Sequence, residues 1–186
     1  MQTAINIFTV IGSIIGIISF LMTMFSSIHN YNIKKWEKLA SIIDFYDFED
    51  FSSGAGIGII YSNKLQKFRI FIDNIRKKTE IVQFKGFAKK EIDKKFIKIL
   101  IEADKFHNEV QVPKWDISGT DESDHISWKI DKNYFDQKYN TVLEHGKSIN
   151  DSISNAYEPI KEISKLYREI YALANKLPYE FIFKFK

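Results

Sequence analysis

Metal-binding and acid–base chemistry would draw first on the histidines, which are His29, His107, His125 and His145. None of them stands in an H-E-x-x-H arrangement or another zinc spacing, and the chain has no cysteine to complete a site. The densest group of ligating side chains is an acidic cluster made of Asp121, Glu122, Asp124 and His125. That cluster could surround a divalent ion, but solvated acids on a polar loop are the simpler interpretation. We therefore expect neither a metal nor a cofactor.

Nucleophilic and phosphate-binding motifs are the next source of chemistry. The sequence has no G-x-S-x-G elbow, and no nucleophile stands at a recognised spacing from a base. Gly54, Gly56 and Gly58 alternate, but they form neither G-x-G-x-x-G nor a P-loop with its lysine. We interpret this run as a hinge followed by the start of a packed helix, and we predict a non-enzymatic protein.

A basic segment at residues 76–98 is the strongest charge feature, with nine basic and three acidic side chains. On a helix it presents a lysine face, for which the candidate anion contacts are Lys89, Lys90, Lys94 and Lys98. Such a face could meet anionic lipid, at about 1 kcal/mol per residue, or the acidic half of a neighbouring subunit. It could equally be a solvated helix surface. Nucleic acid is disfavoured, because the aromatic residues needed for base stacking fall on the apolar stripes.

Charge is absent from the first part of the chain. The 27 basic and 24 acidic residues all lie at or beyond Lys34. The 22 residues from Ala4 to Phe25 are uncharged, and as a helix they would extend about 33 Å, close to the ~30 Å hydrocarbon core of a bilayer. This pattern excludes a plain soluble protein and a polytopic membrane protein, and it predicts one transmembrane helix.

Two other interpretations of this apolar run are weaker. A cleaved signal peptide needs a basic start and a small-x-small cleavage site, whereas the chain opens Met-Gln-Thr and continues Ser26-Ser27-Ile28 after Phe25. A buried helix in a soluble core would not need so long an uncharged run. We therefore expect a retained anchor in the lipid bilayer.

Orientation follows from the lysines on either side of the span. Lys34, Lys35 and Lys38 come directly after it, and no basic residue precedes it. The positive-inside rule then places the N-terminus outside and about 150 residues in the cytoplasm, with the anchor in the cell (inner) membrane.

Small residues on the predicted membrane helix indicate a helix–helix contact. Gly12 and Gly16 form a G-x-x-x-G pair, and Thr9 and Ser13 extend the same surface. Such residues let two helix backbones approach closely, which favours a homo-oligomer. A glycine pair that merely tolerates lipid is the alternative.

The remaining chain is mostly helical by its 3.6-residue apolar periodicity. Stripes run from Ile33 to Tyr46, from Ile57 to Ile75 and from Phe87 to Phe106, and a helix is expected near residues 133–145. A longer seam begins at Ile149 and ends at Leu173, with a kink or restart expected at Pro159. We expect this seam to be a subunit interface or partner-docking face, centred on Ile153, Ile160, Ile163, Tyr167 and Ile170.

Extended structure is expected in two places. Residues 179–186 have an aromatic side chain at every second position, as on one face of a strand, which could pair with a short strand near Ile126–Ile130 or touch the membrane. The fold class is thus mainly α: one N-terminal transmembrane helix followed by a cytoplasmic helical-bundle domain, with one or two short strands. We divide the chain into an anchor (1–29), a juxtamembrane helix (30–53) and a cytoplasmic helical domain (54–186).

These features predict a single-pass, non-enzymatic membrane protein that acts by self-assembly or by binding a cytoplasmic protein partner. A specific version is a membrane-perturbing effector, for example in bacterial defence, whose clustered copies disturb the bilayer. The alternative is a membrane-tethered sensor or adaptor, whose basic segment 76–98 binds an anionic ligand or nucleic acid.

Overall fold

The protein is mainly α-helical, as its periodicity predicted. The computed structural model describes residues 2–111, 114–118, 127–138 and 142–177. In chain order the elements are α1 (Gln2–Ala40), α2 (Phe45–Gly56), β1 (Ile59–Tyr61), α3 (Ser62–Arg76), a single 3₁₀ turn (Glu80–Val82), α4 (Ala88–Glu109), β2 (Trp115–Ser118), β3 (Ser127–Ile130), α5 (Lys132–Lys138) and α6 (Val142–Asn175).

Helix α1 is continuous from Gln2 to Ala40. Its apolar stretch is long enough to span a membrane, and none of that stretch is buried in the protein. Within it the hydroxyls of Ser13 and Thr23 donate hydrogen bonds to the carbonyls four residues earlier, which removes unpaired polar groups from an apolar surface. The helix does not break between residues 29 and 30, so the expected juxtamembrane helix begins as its direct continuation.

The C-terminal half of α1 (its lower half) enters the hydrophobic core of the helical domain. Trp36 and Leu39 are buried there together with side chains from α2, α3, α4 and α6. At the centre lies Tyr167 of α6, which is 0% exposed. Its ring centroid is 4.5 Å from that of Trp36 and 4.9 Å from that of Phe48. Helix α1 is therefore built into the domain rather than connected to it by a linker.

The Tyr167 hydroxyl completes this packing, because it donates a 2.5 Å hydrogen bond to the carbonyl of Ile43. That carbonyl lies just past the end of α1, where backbone acceptors have no partner within the helix. Burial, aided by the negative charges of Asp44 and Asp47, raises the pKa of Tyr167 well above its ordinary value, so the hydroxyl remains a donor.

Helices α4 and α6 pack antiparallel over most of their length. Near one end Lys95 forms an ion pair with Glu169, and near the other Ser152 hydrogen-bonds to Glu109. Helix α6 continues through the buried Pro159 without restarting. The two helices expected at 133–145 and 149–173 are instead a short α5 and one long α6.

A small antiparallel sheet closes the side of the bundle, with strand order β1-β3-β2. The strand expected near Ile126–Ile130 is present as β3, and its neighbours are β1 and β2. Residues 178–186, the expected partner, lie outside the described residues. The glycine run was interpreted wrongly: α2 continues to Gly56, and β1 rather than a helix follows.

Two glycines explain this correction. A Cβ on Gly54 would lie 2.6 Å from the carbonyl oxygen of Ile59, so only glycine lets β1 turn back so closely on α2. Gly58 has φ +75°, which glycine adopts at little cost. The run therefore makes a sharp helix-to-strand turn, and α3 begins at Ser62 instead of Ile57.

We predict that Tyr167→Phe destabilises the folded protein by about 1–3 kcal/mol, because the Ile43 carbonyl is left buried without its donor. Denaturant unfolding in detergent measures this change. Tyr171→Phe is the matched control, since Tyr171 also packs on Trp36 but is 43% exposed. Equal effects of the two substitutions would contradict the assigned role of the hydrogen bond.

Candidate functional site

A cluster of polar and aromatic contacts lies where α1 emerges from its apolar stretch. We call it the junction: residues 25–35 of α1 and the segment 80–87 that packs on them. The rings of Phe25 and Phe87 meet edge to face with centroids 6.5 Å apart. Phe87 is otherwise 52% exposed. An apolar side chain therefore stands exposed beside the end of the apolar stretch of α1.

Gly86 brings the segment into close contact with α1. Its φ is +66°, and a Cβ there would lie 2.9 Å from Cγ2 of Ile28. Both the backbone conformation and the close approach favour glycine. This glycine therefore sets how near the segment 80–87 lies to α1.

Asn32 fixes the segment in register. Its side-chain amide donates to the Lys85 carbonyl (3.2 Å), and its side-chain oxygen accepts from the Lys85 backbone N–H (2.9 Å). Asn32 is buried, so water cannot reach its side-chain amide. These two bonds therefore satisfy polar groups that would otherwise be left without a partner. Because the backbone N–H and the carbonyl of Lys85 are both hydrogen-bonded to Asn32, Lys85 has a defined position. Its Nζ lies 4.2 Å from the centroid of the Tyr31 ring, a distance suited to a cation–π contact.

A second lysine, Lys35, also lies close to the Tyr31 ring. Its Nζ is 2.6 Å from a carboxylate oxygen of Glu80 and 5.1 Å from the Tyr31 centroid. The Lys35 side chain is buried, whereas Glu80 is exposed. The hydrogen bond between them raises the pKa of Lys35 and lowers the pKa of Glu80. Lys35 is thus a structural cation, and the carboxylate of Glu80 balances its charge.

A cavity of about 730 Å³ lies between residues 82–86 of the junction and the first half of α4. Its floor includes the buried rings of Phe84 and Phe96, whose centroids are 6.1 Å apart. Its charged lining residues are Lys78, Lys85, Lys89 and Asp93. Within the described residues none of the three lysines forms an ion pair. The cavity therefore combines an apolar floor with an excess of positive charge, the lining expected of a site for a small amphiphile.

Lys78, which lines the cavity, has an unfavourable backbone conformation. It has φ +47°, and it is the non-glycine residue in the described chain with positive φ. It occupies the left-handed position just after the end of α3. The Lys78 N–H donates a hydrogen bond to the carbonyl of Ile75, and the Thr79 N–H donates one to the carbonyl of Asn74. Glycine is the usual residue there, since a side chain is disfavoured in this conformation.

The expected membrane-helix contact residues lie on a free surface. A Cβ added to Gly12 or Gly16 would meet nothing within 4 Å. The Ser13 hydroxyl bonds to the carbonyl of Thr9, so the two residues share one side of the helix. At about 100° per residue, Gly16 points roughly 180° away from Phe25 and about 160° away from Asn32. The small-residue surface therefore faces away from the side on which the domain packs.

The expected lysine face divides into two parts. Lys89 lines the cavity. Lys90, Lys94 and Lys98 are exposed on the outer face of α4, where Lys94 also pairs with Glu91 at 2.9 Å. The structure brings Lys78 and Lys85 to Lys89 instead. Sequence analysis missed both residues, because Lys78 follows α3 and Lys85 precedes α4, and no helical period relates them.

The expected helical interface is intramolecular. Ile160, Ile163, Tyr167 and Ile170 are each 0% exposed within the core of their own chain. Ile153 is half-buried and packs near Gly58, between α6 and the sheet. The apolar seam was identified correctly, but this chain's own α1, α2 and α4 cover it, so those four side chains are not a surface for a subunit or partner.

The histidines do not assemble into a metal site in the described part of the chain. No group of three or more potential ligands occurs among those residues. His29 lies in the junction, where its Nδ1 is buried without a hydrogen-bond partner among described residues. The acidic cluster at 121–125 lies outside the described residues, and so does any site it would form.

Comparison of the chain with protein-family models, with curated proteins and with solved structures found no match.

We predict that Asn32→Ala releases the segment 80–87 from α1 and speeds trypsin cleavage after Lys85. Two buried hydrogen bonds are lost, each leaving a backbone group unpaired at about 1–3 kcal/mol. Asn30→Ala is the control, because Asn30 is exposed on the same turn of helix. Equal cleavage rates in the two variants would refute the role given to Asn32.

Proposed function

We propose that this chain is a single-pass, non-enzymatic membrane protein that works by self-assembly in the bilayer. One observation carries the proposal: from residue 10 to residue 24 the side chains of α1 are exposed, although most are apolar, while Asn32, Trp36 and Leu39 farther along the same helix are buried in the domain. Phe20 and Met22, for example, are 69% and 68% exposed. A surface of this kind in one continuous helix calls for lipid or for another copy of itself.

The packing of α1 supports a retained anchor over a cleaved signal sequence. Phe25, Ile28 and Asn32 contact the segment 80–87, and Trp36 belongs to the core. Cleavage just after the apolar stretch would remove the Phe25 contact and leave Ile28 and Asn32 at a frayed helix end. An anchor that stays attached keeps all of these contacts.

The orientation is proposed from charge. Lys34 and Lys38 are exposed on α1 just beyond the apolar stretch, and Lys35 lies beside them. The positive-inside rule places such a lysine cluster on the cytoplasmic side. The domain then lies in the cytoplasm against the inner membrane, and the N-terminus lies outside.

Self-assembly through Gly12 and Gly16 fits the geometry of α1. Because the glycine surface points away from the docked domain, two copies can bring these surfaces together with their domains on opposite outer sides. Close backbone approach between such surfaces is what drives association in lipid, where apolar side chains gain little by leaving their surroundings. Clustered copies that disturb the bilayer would make the chain a membrane effector.

The test is to substitute Gly12→Ile and Gly16→Ile in the full chain and measure its oligomeric mass in detergent by light scattering. We expect a shift from oligomer to monomer, and loss of any toxicity on overexpression. Leu21→Ile and Met22→Ile are the controls, since they place β-branched side chains on other faces of the same helix. Unchanged mass and toxicity in both glycine variants would refute assembly through this surface.

Substitution is preferable to truncation in this experiment. Removing residues 1–29 would also delete Phe25 and Ile28, which contact Phe87 and Gly86. A change of mass in the truncated chain would then mix the loss of membrane-helix contacts with damage to the junction.

A further inference from the structure

The cavity lies close to the plane in which the headgroups of a bilayer would lie. Counted from Phe25 at about 1.5 Å per residue, Ile28 is about 4–5 Å and Tyr31 about 9 Å below the end of the apolar stretch. The headgroup layer is about 5–8 Å thick on each side of a bilayer. Gly86 lies against Ile28, and both Gly86 and Tyr31 line the cavity. Its upper rim is thus level with the headgroups of a membrane that α1 crosses.

The charge of the cavity fits an anion from that layer. Three lysines line it against the single carboxylate of Asp93, and none of the three is neutralised by an ion pair within the described residues. This contrasts with Lys35 on the other side of Tyr31, which Glu80 neutralises. The exposed Phe87 and the buried Phe84 add apolar surface above and within the cavity. The combination matches a phosphate attached to an apolar chain.

The backbone of Lys78 is a second, independent indication. It holds a lysine in a conformation that glycine would adopt without strain. Side chains kept in such conformations concentrate at functional sites. Here the strained residue places its amine in the lining of the cavity, beside Lys85 and Lys89.

We propose that this cavity binds the phosphate headgroup of an anionic phospholipid drawn from the cytoplasmic leaflet. Lys78, Lys85 and Lys89 contact the phosphate, and the lipid chains return to the bilayer past Phe87. The inference rests on the membrane anchoring proposed above. It assigns a defined ligand to the basic segment 76–98. The exposed lysines on the outer face of α4, Lys90, Lys94 and Lys98, take no part in binding.

The test uses the full chain reconstituted in vesicles of phosphatidylcholine and phosphatidylglycerol. After mild detergent extraction, native mass spectrometry counts the lipids that remain bound, and their ratio is compared with that of the vesicle. We expect the unmodified chain to retain phosphatidylglycerol in preference to phosphatidylcholine. The double variant Lys85→Gln/Lys89→Gln should lower this preference roughly 25-fold, as expected from about 1 kcal/mol for each lysine.

The matched control is Lys90→Gln/Lys98→Gln. It removes the same charge from the outer face of α4, where both side chains are exposed. We expect this variant to keep the preference of the unmodified chain. An equal loss in both double variants would mean that diffuse surface charge attracts the lipid, and it would overturn the proposal.

Lys78→Gly separates binding from folding. Glycine relieves the left-handed backbone, so we expect the melting temperature in detergent to stay equal or rise while the preference for phosphatidylglycerol falls. A purely structural Lys78 would leave lipid retention unchanged, and that result would remove Lys78 from the site.

Two further outcomes are decisive. Soluble glycerol 3-phosphate carries a phosphate anion without chains, and we expect it not to displace the bound lipid. Displacement at comparable concentration would make the cavity a site for a free anion and overturn the lipid assignment. Resistance to carbonate extraction is measured in parallel. A chain that inserts but shows no lipid preference refutes this inference alone, whereas a chain that fails to insert refutes the anchoring as well.

Discussion

The packing of Trp36 against Tyr167 is the contact on which the rest of the structure depends. It joins the lower half of α1 to α6, and Phe45, Phe48 and Phe71 surround the same tyrosine ring with centroids 4.9–5.6 Å away. Aromatic side chains of this size contribute both buried area and preferred ring geometry. Because α1 is one helix, fixing its lower half also fixes the direction in which its apolar half projects.

The junction follows from this constraint. Once α1 is held in the core, the segment 80–87 packs on its next turns through Gly86 and Asn32, and the segment closes the cavity toward the bilayer. The ion pair with Glu80 balances the charge of Lys35. Lys78, Lys85 and Lys89, which line the cavity, form no ion pair among the described residues. The proposed membrane anchoring, the proposed self-association surface and the proposed lipid site therefore depend on the same rigid placement of α1.

The sequence predicted the features that depend on local periodicity. The uncharged run and the apolar stripes marked α1, α4 and α6, because an apolar face every 3.6 residues is a property of a single helix. The position of β3 was also predicted. By contrast, β1 was missed, since a three-residue strand in a glycine run exists only through its pairing with β3 some 70 residues later.

The candidate site was predicted less well, for a related reason. Periodicity shows that a face will be buried but not what will bury it. For this reason the seam through Ile160 and Tyr167 was predicted to meet another subunit or a partner protein. The cavity joins residues of α1, the end of α3 and the start of α4, whose proximity is a tertiary property. The sequence identified Lys89 as a candidate anion contact through its place in a charged helix. Lys78 and Lys85 were recognised as its neighbours only from their position in the fold.

The central claim is that the membrane helix and the domain are one rigid body joined through residues 25–40. Hydrogen exchange of the full chain in lipid nanodiscs tests it directly. We predict that backbone amides of residues 26–40 exchange as slowly as those of the buried half of α6, with no fast-exchanging stretch between the bilayer and Trp36. Fast exchange at residues 26–33 would mean that a flexible linker separates anchor from domain, and it would contradict the account.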